Sequence, residues 1–387
     1  MIHAFTCNGA NLVLDVDSGA VYAVDDLTFQ LIPFYEADDQ DGALRALGGG
    51  THPAAELTEA WDELCALELA GGLNTDYGYG QEFCKPPEVV KALCLNISHD
   101  CNLRCSYCFA GTGDFGRGRL LMPLSTACAA IDFLIEKSGT RKQLEVDFFG
   151  GEPLLNWDVV TATVAYGRKR EQEAGKTIRF TLTTNALALD EAKQAFINRE
   201  MSNVVLSLDG RKTVHDAFRK TAAGTGSYDL VKTKALALSK ARGDGEHYVR
   251  GTYTARNLDF ASDVEALADL GFEQLSMEPV VAAPDCGYAL SLRHLPRIRA
   301  EYEKLARMYV ERRQNGRWFN FFHFMVDLDQ QPCVSKRLLG CGAGNEYVAV
   351  TPEGDIYPCH QFVGEDDFKM GNVLIGAFDK DIQKRMG

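Results

Sequence analysis

No stretch of this sequence approaches the ~20 consecutive apolar residues that a membrane-spanning helix needs, so no membrane partner is expected. The first ten residues, MIHAFTCNGA, hold no basic cluster followed by an apolar run, and no secretory signal is read there. Basic residues are in deficit, 40 Lys and Arg against 54 Asp and Glu, for a formal net charge of -14. Nucleic acids are bound through Lys and Arg that neutralise phosphates, so no nucleic-acid partner is expected. Disorder has no foothold either, because 46% of the 387 residues are hydrophobic and can bury a sizeable core. At about 150 residues per domain, that length predicts two or three domains. Twelve cysteines without a secretion signal fit a reducing cytoplasm, where metal binding or catalysis is a commoner use of thiols than disulfides.

A fourth ligand is missing where it would matter most. The segment CNLRCSYC places Cys101, Cys105 and Cys108 as C-x3-C-x2-C directly behind a short apolar strand, ALCLNIS. A closed structural zinc site wants four N or S ligands, usually as paired C-x2-C knuckles. Cubane iron–sulfur clusters are held by Cys thiolates, ordinarily four. Three thiolates on one loop therefore suit a cluster with one iron left open. A zinc knuckle or a set of buried thiols is the alternative, since free Cys packs as a small hydrophobe.

With an aromatic, Tyr107, before its last cysteine, this loop resembles the signature of the radical S-adenosylmethionine (SAM) superfamily. The resemblance implies a [4Fe-4S] cluster on Cys101, Cys105 and Cys108. Its open iron chelates the amino and carboxylate groups of SAM, and reductive cleavage yields methionine and a 5′-deoxyadenosyl radical. An electron donor such as flavodoxin or ferredoxin is implied as a partner.

Residues 1–80 read as a small α+β unit. The run NLVLDVDSGAVYAVDD alternates in strand fashion around a DSG hairpin signal, and helical stretches follow near Leu27 to Glu36 and Ala54 to Leu69, separated by Gly48, Gly49 and Gly50. The unit resembles the winged-helix, PqqD-like element that takes the leader of a ribosomally made precursor peptide as an added strand. A packing domain without a ligand is the alternative. Residues 81–91 read as a linker, with Pro86 and Pro87 in a turn-rich stretch.

Over 92–316 strand and helix patterns alternate, which implies a parallel sheet with right-handed crossovers. Strands are expected at ALCLNIS, LEVDFFG, RFTLTTN, NVVLSLDG, HYVRGTYT and QLSMEPVV, with helices between them. Six units match the partial (β/α)6 barrel of radical SAM enzymes, an α/β fold whose sites gather at the carboxyl ends of the strands. The resemblance assigns the SAM contacts to Tyr107, to Gly150, Gly151, Glu152 and Pro153 in FFGGEP, to Thr184 and Asn185 beside Thr183 in TLTTNA, to Ser207 and Asp209 in LSLDG, and to Arg219 in VHDAFR. A plain turn at GGEP and a simple Asp-Gly turn at LSLDG are the alternatives there. His215 and Asp216 read as scaffolding, and Met277 and Glu278 as residues at the cavity mouth, supporting rather than catalytic. No catalytic residue is assigned. GTGDFG (111–116) fits G-x-G-x-x-G, but it follows the cysteine loop rather than a strand and opens no helix, so no dinucleotide site is read there.

Residues 317–387 carry a second group, Cys333, Cys341 and Cys359, after a long amphipathic helix. Cys341 and Cys359 form C-x12-G-x4-C through Gly354, with TPEGDI as a hairpin tip. This resembles the first half of a SPASM or twitch extension and implies at least one auxiliary Fe–S cluster. Buried thiols, or zinc with His360, are the alternative. The further C-x2-C-x5-C-x3-C segment of SPASM proteins does not follow before Gly387, so the extension is expected to be shortened or to hold one cluster. Cys7, Cys65, Cys84, Cys94, Cys128 and Cys286 match no motif.

Across the chain the stretches NGANLVLDVDSGAVYAVDD, LEVDFFGGEP and YPCHQFVG most resemble maturases of six-cysteine (SCIFF) peptides. That implies a radical SAM enzyme installing thioether crosslinks, from Cys sulfur to carbon, in a cysteine-rich precursor peptide held by its leader. Formylglycine formation of the anaerobic sulfatase-maturating type, and a non-catalytic leader-binding metal protein, are the rival readings.

Overall fold

The computed structural model describes residues 1–49, 52–75, 89–326 and 340–386. The chain divides into two compact units, Met1–Pro86 with Val326–Gly340, and Pro87–Met325 with Cys341–Gly387.

In the first unit β1 (Ile2–Cys7), β2 (Ala10–Asp15) and β3 (Val21–Val24) form an antiparallel sheet with β2 in the centre. The helices are α1 (Asp26–Glu36), α2 (Gln40–Leu47) and α3 (Ala54–Leu69). Asp25 caps α1 by accepting from the Thr28 N–H at 2.7 Å, which satisfies one of the otherwise orphaned amides of the first turn. The sequence reading had two helices here, and α2 is the one it lacked. Its QDGALRAL has few strong helix formers, but Asp39 caps it through the Gly42 N–H at 2.8 Å. A Cβ on Gly42 would collide with that carboxylate, so the glycine that weakens the pattern is what admits the cap. Leu31, Ile32, Leu57, Trp61 and Leu64 close the core beneath.

In the second unit six strands, β4 (Ala92–Ser98), β6 (Gln143–Gly150), β7 (Thr177–Thr184), β8 (Met201–Ser207), β10 (His247–Tyr253) and β11 (Gln274–Pro279), lie parallel and in that lateral order. Each is followed by helix: α4 (Leu124–Lys137), α5 (Trp157–Ala174), α6 (Glu191–Glu200), α7 (Lys212–Phe218) with α8 (Tyr228–Arg242), α9 (Phe260–Asp269) and α10 (Leu295–Gln314). A two-stranded ribbon of β5 (Leu103–Cys105) and β9 (Arg219–Thr221) stands apart from the sheet. These alternating strands and helices form an α/β layer whose sheet is open, with β12 (Asn320–Phe321) extending one edge.

At the other edge β13 (Tyr347–Val350) pairs parallel to β4, and β14 (Asp355–Tyr357), β15 (Gly371–Asn372) and β16 (Ala377–Phe378) add antiparallel strands. TPEGDI is the turn of the β13–β14 hairpin, and Gly354 there takes φ +87°, a conformation that suits glycine. β4 is buried on both faces. Leu93, Leu95 and Ile97 join the large core under the helices, while Cys94 packs in a separate cluster with Ala110, Phe115, Ala349 and Tyr357. The strand that launches the cysteine loop is thereby tied to the C-terminal hairpin. No helix among the described residues is long and apolar enough to cross a membrane.

Candidate functional site

The cysteine loop leaves β4 and is anchored from three sides. β5 pairs antiparallel with β9, with Cys105 opposite Arg219. The Ser106 N–H donates to Phe218 O at 3.0 Å, and the Cys108 N–H to Cys105 O at 3.1 Å. The end of β6 supports the loop from beneath: the Gly151 N–H donates to Ser98 O at 2.7 Å and the Glu152 N–H to Asp100 O at 2.8 Å. A Cβ on Gly151 would sit 2.3 Å from Asp100 O and 2.8 Å from Gly113 O, and one on Gly150, at φ +124°, 2.4 Å from Ser98 O. The glycine pair, assigned to SAM by the resemblance, therefore also lets two backbones meet. The 111–116 segment is a run of turns with no helix before Leu124, and Gly113 closes directly over Cys101.

One cavity of about 310 Å³ opens at the carboxyl ends of the parallel strands, within the usual size range of small-molecule sites. All three cysteines line it. So do Tyr107, Gly150, Gly151, Glu152, Thr183, Thr184, Asn185, Ser207 and Arg219. Pro153 and Asp209 do not: Pro153 is buried at the start of a 3-10 turn, and Asp209 is fully buried behind the wall. Asp209 Oδ2 accepts from Arg219 Nε at 2.9 Å and from the Tyr107 hydroxyl at 2.6 Å, while Oδ1 accepts from the Thr252 N–H at 3.1 Å. The Arg219 guanidinium also lies over the Tyr107 ring, 5.4 Å from its centroid. His215 stands further back, Nδ1 accepting from the Asp209 N–H at 3.4 Å and Nε2 meeting Ser227 Oγ at 2.9 Å, and Asp216 Oδ1 accepts from the Tyr228 N–H at 2.9 Å. Burial pushes the His215 imidazole down to about 4.

Asn185 is aimed by its own backbone. Ala186 after it takes φ +60°, uncommon for a residue with a Cβ, and Asn185 Oδ1 accepts from the Leu187 N–H at 2.9 Å. That contact fixes the amide's orientation, so Nδ2 points at Cys101 Sγ (3.6 Å) and Asn102 Oδ1 (2.8 Å). The Leu103 N–H approaches the same sulfur at 3.4 Å. Glu152 is buried: Oε1 accepts from Thr184 Oγ1 at 2.6 Å and the Leu154 N–H at 3.1 Å, and Oε2 from the Asn185 N–H at 2.8 Å. Burial outweighs these bonds and lifts its pKa to about 7.

Burial also pushes the Cys101 thiol up to about 12, with the Glu152 carboxylate adding to the rise, and the Cys105 thiol up to about 11. Cys108 moves the same way. The donor set fits an iron–sulfur centre: three thiols on one wall, electrostatically near one another, with N–H donors on Cys101 sulfur that would support a thiolate. Among the described residues no group of three or more His, Cys, Asp or Glu is placed to hold a single metal ion.

Of the second cysteine group, Cys333 lies outside the described residues. Cys341 is exposed before β13, and Cys359 follows β14. Burial raises the Cys359 thiol, with Cys341 near enough to add to the shift. His360 faces the main cavity, packs against Phe149 and Phe109, and meets the Tyr347 hydroxyl through Nδ1 at 3.0 Å. The C-terminal hairpin thus contributes to the wall that the cysteine loop also forms.

Sequence reasoning placed Met277 with Glu278 at the mouth. Strand alternation separates them: Met277 is fully buried against Gly251, and Glu278 faces the cavity. Glu278 accepts from Ser276 Oγ at 2.6 Å and pairs with His323 Nε2 at 3.2 Å, and His323 Nδ1 meets the Tyr302 hydroxyl at 2.8 Å. Asp147, Arg250 and Thr252 also line the cavity and were not singled out. The usable signal was parity, since Arg250 and Thr252 share one face of HYVRGTY, where a charge is out of place unless the face is wet.

Comparison with known proteins bears on the family and the fold. Residues 95–261 match the model of the Radical SAM superfamily, a family that uses a [4Fe-4S] cluster and SAM. An uncharacterised protein of Methanocaldococcus jannaschii is 31% identical over 130 residues, 34% of this chain and 42% of that protein. The match thus spans less than half of that relative's length. The mycofactocin maturase MftC of Mycobacterium ulcerans is 26% identical over 74% of this chain and 73% of its own. A cysteine-type anaerobic sulfatase-maturating enzyme of Clostridium novyi is 23% identical over 73% and 76%. Among solved structures, anSMEcpe with bound AdoMet superposes with a TM-score of 0.62 at 20% identity, over 75% of this chain and 80% of that one. Streptococcus suis SuiB bound to precursor peptide SuiA gives 0.55 at 15% identity, over 99% and 88%. The cysteine loop therefore lies in a radical SAM domain over residues 95–261, on the α/β fold of those solved structures, in a chain whose relatives include peptide and cofactor maturases.

Proposed function

We propose that this protein is a radical SAM peptide maturase that installs thioether crosslinks in a cysteine-rich, ribosomally made precursor peptide, of the kind matured in six-cysteine peptides. The observation that carries the reading is the shared cavity: Cys101, Cys105 and Cys108 line it from one side and His360, next to Cys359, from the C-terminal hairpin. When bound, the [4Fe-4S] cluster and SAM supply a 5′-deoxyadenosyl radical able to take hydrogen from carbon. Cys101, Cys105 and Cys108 hold that cluster, with Asn185 and the Leu103 N–H donating to Cys101 sulfur. Glu152 and the glycine pair set the position of the loop and offer a carboxylate to the SAM ammonium. Thr184, Asn185, Ser207 and Tyr107 form the rest of the SAM wall. Arg219 offers the SAM carboxylate the donors that its bond to Asp209 leaves over.

Cys341 and Cys359, with Cys333, hold an auxiliary cluster in this reading. Residues 1–80 hold the leader, taken as a strand on an open edge of the β1–β2–β3 sheet, so the core peptide reaches the cavity at high effective concentration. The peptide would lose one S–H and one C–H hydrogen and gain one S–C bond, a two-electron oxidation for which SAM would be the oxidant, leaving as methionine and 5′-deoxyadenosine with the hydrogen from carbon. A donor such as flavodoxin or ferredoxin would supply the one electron that starts cleavage, and the electron released on S–C closure would pass to the auxiliary cluster.

The test is anaerobic iron and sulfide content of the wild type beside a Cys101→Ala/Cys105→Ala/Cys108→Ala variant. Retention of about four irons by the variant supports the second centre. Loss of all iron removes the auxiliary part of the proposal, and a zinc-only wild type removes the radical part. Formylglycine formation is distinguished by product analysis, because only a thioether keeps its sulfur while resisting thiol alkylation. A protein that never cleaves SAM when reduced would instead be a leader-binding metal protein.

A further inference from the structure

The charged side chains on the cavity wall are nearly all spoken for. Arg219 is bonded to Asp209, Glu152 to Thr184 and the Asn185 N–H, Asp147 Oδ1 to Thr181 Oγ1 at 2.8 Å, and Glu278 to Ser276 and His323. Arg250 is the exception among the described residues. It projects from β10 into the cavity, is exposed there, and makes no side-chain hydrogen bond or ion pair. Its field reaches Asp147 and Glu278, whose ionised forms it favours, yet neither lies within ion-pair distance. A guanidinium presents five donors in a planar fork that matches a carboxylate. Left unpaired in a cavity, it is a site prepared for an anion.

The position on the wall points to which anion. The residues assigned to SAM lie on the cysteine loop, the ends of β6, β7 and β8, and β9. Arg250 is the register neighbour of Ser207 in the sheet, but its charge acts on Asp147, Glu278 and His360, on β6, β11 and the turn after β14, none of them assigned to SAM. We propose that Arg250 determines substrate specificity by holding a carboxylate of the peptide, carried by an acidic side chain or by a free carboxyl terminus. This rests on the peptide-maturase reading.

The test uses the full chain prepared anaerobically and left unreduced, so that binding is read without turnover. The probes are pools of short synthetic peptides containing Asp and Glu, or the isosteric Asn and Gln, each with a free or an amidated carboxyl terminus. Wild type should retain carboxylate-bearing peptides about tenfold over their amides. Arg250→Met should abolish that preference, and Arg250→Lys should keep part of it. Loss of the preference on replacing Asp and Glu identifies a side chain, and loss on amidation identifies the terminus. No preference in wild type, or one that survives in Arg250→Met, overturns the proposal. So does an Arg250→Met protein whose SAM binding by equilibrium dialysis falls about tenfold while peptide preference is intact, which would give Arg250 to the cosubstrate. Thermal unfolding of each variant checks that it is folded, and Arg250→Gln replaces Arg250→Met if that protein is not. Failure of the reduced wild type to cleave SAM would remove the radical reading without altering this binding result.

Discussion

Arg219 Nε donates to Asp209 Oδ2 at 2.9 Å, joining two residues that the resemblance assigned separately as SAM contacts. The carboxylate is fully buried, and the Tyr107 hydroxyl shares it. Breaking one side of a buried charge pair leaves the other uncompensated. Asp209→Ala should therefore lose ~3–5 kcal/mol of stability by urea unfolding. Tyr107→Phe, which removes one neutral donor, should lose only ~1 kcal/mol. Equal losses would mean that the Asp209–Arg219 pair is not what holds this corner.

Gly151→Ala should cost ~1–3 kcal/mol, because its Cβ would overlap the backbone carbonyl of Asp100 and neither backbone has room to yield. Cluster loading of this variant should fall as well, since the displaced carbonyl belongs to the residue before Cys101. Gly49→Ala, where a Cβ meets nothing within 4 Å, is the control and should be near neutral. Iron content and melting temperature of the two variants check both statements.

The His323 bond, with Ser276 beside it, holds the Glu278 carboxyl down from 4.5 to about 2 against the opposing effect of burial. An acid with a depressed folded value adds stability above its unfolded value and loses it as pH falls through the folded one. The advantage of wild type over Glu278→Gln should be full above about pH 4.5 and gone by about pH 2. Denaturant titrations of the cluster-free proteins across that window would show it. A difference independent of pH would assign the effect to packing.

In the cluster-free protein, Cys101 and Cys105 are protonated at neutral pH, because burial holds their thiols near 12 and 11. Iodoacetamide attacks thiolates. At pH 7.5 both should be modified more slowly than exposed Cys341, with the gap narrowing as pH rises. Site-resolved mass spectrometry reads the rates. Loading of the cluster must displace these protons, so reconstitution should quicken in the same direction.

Asn185→Leu should leave the fold intact and remove the amide donor from Cys101 sulfur. Hydrogen bonds to the sulfurs set cluster potentials, and losing one makes reduction harder. The loaded variant should show a more negative midpoint in a redox titration. An unchanged midpoint would leave the Asn185 side chain with only its bonds to Asn102 and the Leu187 N–H.

Local patterns carry much of this protein. The alternation of apolar runs with amphipathic stretches determines the parallel strands and their helices, because burial on both faces makes strands such as ALCLNIS apolar almost throughout. The spacing of Cys101, Cys105 and Cys108 determines that one loop can serve one centre. Only the tertiary structure decided that Asp209 is spent on Arg219 and Tyr107, that the glycines of FFGGEP seat the cysteine loop, and that β13 joins the sheet beside β4. It also brought Asp147, Arg250, Glu278 and His360 to one cavity from segments far apart in sequence. The physical reason is range: periodicity and spacing report what neighbours along the chain must do, whereas partners for a buried charge come from whichever strands the sheet order places opposite it.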